Sequence, residues 1–129
     1  MRQKRRYLIA GSITGFALLL ALSSFPSNAQ DPGDGKALFA KRCGGCHALD
    51  RDKEGPRLGG VYGRTAGSVE SFQYSDALKK SQIVWTDATL DRWLTNTEAL
   101  VPDNDMTFHV ESTDERRTII GYLKQNSRN

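Results

Sequence analysis

Cys43-Gly44-Gly45-Cys46-His47 gathers two thiols and an imidazole within about one turn of chain. Thiols three residues apart can each form a thioether with one vinyl group of a porphyrin. A histidine directly after the second thiol then lies under the iron and can ligate it, so C-x-x-C-H reads as a covalent haem attachment motif. The same residues admit other chemistry. A dithiol redox motif would need a βαβ setting, and no strand pattern precedes Cys43. A zinc site usually takes four protein ligands, which Cys43, Cys46, His47 and His109 could supply.

A haem iron held by His47 leaves a sixth position to fill. Apart from Met1 the chain has a single methionine, Met106, at the end of Val101-Pro-Asp-Asn-Asp-Met106. A core methionine sits in an apolar run; this one stands in a polar, proline-containing loop. His109 is the alternative, since neutral imidazole also binds iron. Methionine sulfur favours ferrous iron relative to a second imidazole, so Met106 as ligand implies a comparatively high reduction potential.

Helices are the elements available to position these groups. The first is expected to start at Asp34, an acceptable N-cap, and to run through Cys43, with Phe39 and Cys43 four apart on one face. A second fits Asp87–Thr95, with Thr86 as N-cap and Leu90, Trp93 and Leu94 at i, i+3, i+4 spacing. A last helix follows the capping box Ser112-Thr-Asp-Glu115, with Ile119, Ile120, Tyr122 and Leu123 as its apolar face. From Ala48 to Gln73 the chain is rich in glycine and reads as loop, and strand signals are weak throughout. The expected class is all-α with long loops, and loops of that length need something to wrap.

Residues Met1 to Ala29 differ from the rest. Arg2, Lys4, Arg5 and Arg6 precede an apolar run from Tyr7 to Leu22, and Ser27-Asn28-Ala29 puts small residues at the −3 and −1 positions of a cleavage site. This is the pattern of a secretory signal, implying export by the Sec route to the periplasm; a retained inner-membrane anchor is the competing reading. The second domain is residues 30–129. The full chain carries 18 Lys and Arg against 15 Asp and Glu, but four of the cations and none of the acids lie in residues 1–29. The remainder is near-neutral, with no basic stripe for phosphates, so a nucleic-acid partner is not expected. About 100 residues bury only a small core, and both cysteines lie inside the motif; a haem would itself serve as the core staple.

From Gly35 to Lys124 the chain resembles class I cytochromes c, of the mitochondrial cytochrome c and bacterial cytochrome c2 type. Gly35, Phe39 and Tyr122 match that family's contact between first and last helices. Gly55-Pro56-Arg57-Leu58-Gly59-Gly60-Val61-Tyr62-Gly63-Arg64 looks like its proximal loop, and Ser71–Asp76, Trp85 and Thr89-Leu90 match further segments. The spacing from Leu94 through Pro102 to Met106 is that of its axial methionine. The resemblance implies a small fold of three main helices and long loops around one covalently bound haem c. It implies that Cys43 and Cys46 carry the thioethers, that His47 and Met106 are the axial iron ligands, and that the Pro56 carbonyl takes the His47 N–H. Arg64, Tyr74 and Trp85 would contact a haem propionate, a role that suits a cation and hydrogen-bond donors.

Three departures stand out. Trp93 replaces the usual tyrosine near the methionine, Leu78 a usual asparagine and Asn104 a usual threonine. The family's lysine-rich docking ring is also missing: Glu98, Asp103 and Asp105 surround Met106, with Lys36, Lys41, Arg42, Lys79 and Lys80 scattered elsewhere. The expected function is one-electron transfer by a monomer between a donor and an acceptor redox protein, such as a bc1-type complex, oxidase, reductase or dehydrogenase. The charge pattern predicts a partner other than a strongly acidic oxidase site, or weaker docking to one. The competing functions are a small haem peroxidase, with His109 as its distal histidine, and a sensor whose Met106 is displaced by a gas.

Overall fold

The structure, a computed structural model, describes residues 32–128; the expected signal or anchor over residues 1–29 lies outside the described residues. Proline suits the first turn of a helix, where an N–H would have no partner, and α1 runs Pro32–Arg42. It thus begins two residues before the expected N-cap, and Asp34 lies in its first turn, a favourable place for negative charge. The chain then continues as a turn through Cys46, with the His47 N–H on the Cys43 carbonyl at 2.8 Å.

Two of the expected helices form where their caps stand. α3 spans Asp87–Thr95 with a reciprocal capping box between Thr86 and Thr89, and buries Leu90, Trp93 and Leu94. α5 spans Thr113–Gln125, with the Ser112 hydroxyl accepting from the Glu115 N–H at 3.3 Å. Glu115 does not complete the box. Its carboxylate pairs with Arg42 at 2.7 Å, tying the start of α5 to the end of α1. Two short helices were not anticipated: α2, Asp76–Lys80, and α4, Thr97–Leu100. Each is capped by a side chain, Ser75 and Asn96 respectively, and each is too short to show a helical period. Among the described residues the β pairing is one isolated bridge, Thr65 with Val84.

α1 and α5 cross at Gly35, where a Cβ would stand 2.8 Å from the Tyr122 Cβ, and the Phe39 and Tyr122 rings lie 5.4 Å apart at 46°. A side chain at Gly35 would hold these helices apart. α3 packs against α5, and Leu90, Leu94, Ile119, Ile120 and Leu123 close the core between them. Burying side chains of this size is worth about 1.5–3 kcal/mol each. α5 also buries a charge, Arg116, which the apolar pattern did not signal. Its guanidinium meets Asp91 of α3 at 2.7 Å and the carbonyls of Val110 and Glu111 at 2.8 Å each. No helix of the described residues is long and apolar enough to cross a membrane.

Candidate functional site

The carbonyl of Pro56 accepts from His47 Nδ1 at 2.8 Å. A carbonyl cannot donate, so the proton must lie on Nδ1 and the lone pair on Nε2. Burial pushes the His47 pKa below its ordinary value and so favours the neutral, ligating form of the ring, although the Pro56 bond opposes the shift. Gly55 makes the approach possible: a Cβ there would lie 2.2 Å from His47 Cε1. The Gly55 N–H is held by the Cys46 carbonyl at 2.8 Å, and Leu58 and Gly59 pair with Ala48 and Leu49. The proximal loop is therefore laced to the motif it serves.

His47 lines a cavity of about 500 Å³ at the centre of the fold. Cys43 and Cys46 lie on the same wall, Cys43 buried and Cys46 exposed. Burial raises the Cys43 thiol pKa to about 11. Pro56, Arg64, Tyr74, Trp85 and Met106 line the cavity as well, so the structure brings together all the site residues singled out from the sequence except His109. His109 is exposed and not among the lining residues, which removes it from a four-ligand zinc set and from a distal position. The described residues hold no cluster of three or more His, Cys, Asp or Glu suited to a metal ion.

Arg64 and Trp85 are set side by side by backbone pairing. The Trp85 N–H bonds the Arg64 carbonyl at 3.0 Å and the Gly63 N–H bonds the Trp85 carbonyl at 2.7 Å. Arg64 spends part of its guanidinium on the carbonyls of Gly59, 3.1 Å, and Arg57, 2.9 Å. Burial lowers the Arg64 pKa and raises that of Tyr74, and proximity to Tyr74 partly offsets the first shift. A half-buried cation beside a phenol makes a receptor for a carboxylate. Trp85 also belongs to an aromatic part of the lining, its ring 5.4 Å from that of Trp93 at 57°, and Leu90 and Leu94 line the cavity as well.

Two polar residues near Met106 went unread as site residues. Thr97, only 3% exposed, donates its hydroxyl to the Met106 carbonyl, and the Asn104 side chain accepts from the Met106 N–H at 2.8 Å. The sequence signal for Asn104 was its departure from the family pattern; Thr97 offered none.

The donor set fits a haem: paired thiols, a neutral imidazole with its tautomer fixed, a thioether, an apolar slot of ligand size and one cationic corner. Comparison with known proteins agrees. The cytochrome c family model matches residues 33–127. Cytochrome c of Euglena viridis is 41% identical over 97 residues, covering 73% of this chain and 95% of that protein. Cytochrome c2 of Blastochloris viridis is 37% identical over 111 residues, covering 83% of this chain and 87% of that one. Among solved structures, cytochrome cH from Methylobacterium extorquens superposes with a TM-score of 0.69 at 36% identity, covering 74% of this chain and 98% of that one.

Proposed function

Because the chain belongs to the cytochrome c family, electron-transfer proteins that carry covalently attached haem c, we propose that it is a periplasmic one-electron carrier with Cys43 and Cys46 as thioether residues and His47 and Met106 as axial ligands. The observation that carries the ligand assignment is the convergence of the C-x-x-C-H turn, the Pro56-held imidazole and the lone downstream methionine on one apolar cavity. The haem, when bound, supplies the one-electron iron couple.

The chain's own residues do the rest. Pro56 fixes the His47 ring and raises its basicity by taking the Nδ1 proton's bond. Met106 offers a soft sulfur that favours the reduced metal. Leu90, Trp93, Leu94 and Leu123 exclude water from the slot, which keeps its dielectric low. Arg64 and Tyr74 hold the propionate end, where the family resemblance also puts Trp85. The basic, apolar leader over Met1–Ala29 supports export, and its retention would make the same carrier a membrane-anchored one.

The partners are redox proteins. Glu98, Asp103 and Asp105 around Met106 favour a donor or acceptor whose docking face is not strongly acidic. The peroxidase alternative relies on His109, which is exposed and off the cavity. A redox titration tests the carrier reading. The purified haem protein should give a single one-electron wave, and Met106→His should lower its midpoint potential. An unchanged potential in that variant would remove Met106 from the iron.

A further inference from the structure

Met106 sits at the end of a loop, yet its backbone is not left to the loop. Its N–H is taken by Asn104 Oδ1 at 2.8 Å and its carbonyl by the Thr97 hydroxyl. Both polar groups of this peptide are therefore held by side chains. Thr97 is the first residue of α4 and is buried, so its hydroxyl is anchored on a regular element rather than on the loop itself. Asn104 is anchored too: its Nδ2 donates to the Val101 carbonyl at 2.8 Å and reaches Glu98 at 3.4 Å. Glu98, also on α4, takes the Asp103 N–H at 3.1 Å with its other oxygen. Asp103 holds a φ of 62°, a conformation costly for a non-glycine residue unless its surroundings impose it. Just beyond, the Val110 N–H is pinned to the Leu94 carbonyl at 2.7 Å.

We propose that Thr97 and Asn104 form a side-chain clamp on the Met106 peptide that keeps the methionine seated on the cavity and sets how readily it yields to an outside ligand. The proposal rests on Met106 being the sixth ligand, and goes beyond it by naming what holds that ligand in place. Thr97 and Asn104 are positioning residues: they touch the backbone of Met106 and act through it. Loss of either bond leaves a backbone group of Met106 without its partner while the thioether and the cavity wall stay intact, so the closed state weakens relative to the displaced one. An external imidazole competing for the same position reports that balance directly.

The test is imidazole binding to the oxidised haem protein, followed in the visible spectrum, for Thr97→Val, Thr97→Ser, Asn104→Leu and Asn104→Asp, each also in a Met106→Ala background. Thr97→Val and Asn104→Leu should each bind imidazole about tenfold more tightly than the parent, the size of one lost hydrogen bond. Thr97→Ser keeps the hydroxyl and should stay near the parent affinity. Asn104→Asp loses the Nδ2 bond to Val101 and sets a carboxylate against Glu98, so it should tighten imidazole binding as Asn104→Leu does. In Met106→Ala the clamped backbone no longer carries a ligand, so Thr97→Val should change nothing. Equal tightening by Thr97→Val with and without Met106 would mean a general loosening of the pocket and would overturn the clamp. So would parent-like affinity in both Thr97→Val and Asn104→Leu. If Met106→Ala itself leaves imidazole affinity at the parent value, Met106 is not the ligand, and clamp and ligand assignment fall together.

Discussion

A carbonyl at 2.8 Å from His47 Nδ1 and a glycine against the same ring decide what that imidazole can do. The Pro56 bond fixes the tautomer, burial disfavours the charged ring, and Gly55 gives the backbone room to come this close. Gly55→Ala therefore tests the proximal side. The added carbon must push the His47 ring or the loop, an overpacking cost of about 2 kcal/mol. For a domain of this size the thermal midpoint of the haem protein should fall by roughly 10 °C. A melting curve that overlays the parent's would mean the loop yields freely and does not define the ring's place. Asn104 makes a related point on the distal side. A residue that reads as a departure from its family takes three hydrogen-bonding partners, Glu98 on α4 and Val101 and Met106 beyond it.

At the scale of elements, legibility followed the strength of the local signal. α3 was readable to its ends because Thr86 caps it and Leu90, Trp93 and Leu94 mark its buried face. α5 was readable at its start for the same reason, although Glu115 spends its carboxylate on Arg42 instead of closing the box. α1 begins earlier than expected because Pro32 can lead a helix as well as Asp34 can cap one. α2 and α4 escaped notice: helices of five and four residues carry no period, and α4 matters because it brings Thr97 to Met106. The cavity-lining residues were legible through motif and family spacing, whereas the bonds that hold them depend on chain segments far apart in sequence. Arg116 is the clearest case. It joins α5 to α3 through Asp91 and to the segment after Met106 through two carbonyls, none of which the apolar pattern announces. Arg116→Met would leave both carbonyls without their donor and should cost about 2–3 kcal/mol in equilibrium unfolding by denaturant. A loss below about 0.5 kcal/mol would class Arg116 with ordinary surface charge.

For the whole molecule, the fold is a small helical shell around one cavity, and the family gives that cavity its haem c. The charges that bear on docking lie on the outside. Residues 30–129 are nearly neutral, and Glu98, Asp103 and Asp105 stand near Met106 where the family resemblance implies lysines. Charge of that kind governs encounter rate more than the strength of the final complex. Association with an acidic-faced redox partner should therefore not slow as salt is raised from about 10 to 150 mM, a range over which the Debye length shrinks from about 30 to 8 Å. Stopped-flow kinetics across that range would report it, and a steep fall in rate with salt would show attractive steering by basic residues instead.

Met106 decides what kind of haem protein this is. The most direct measurement is the visible spectrum of the oxidised haem protein as isolated, and with Met106→Ala or His109→Ala. Methionine–iron(III) ligation gives a weak band at the red end of the spectrum. The band should be present in the parent, lost in Met106→Ala and unaltered in His109→Ala. Its persistence in Met106→Ala, or its loss in His109→Ala alone, would contradict the assignment of the sixth ligand.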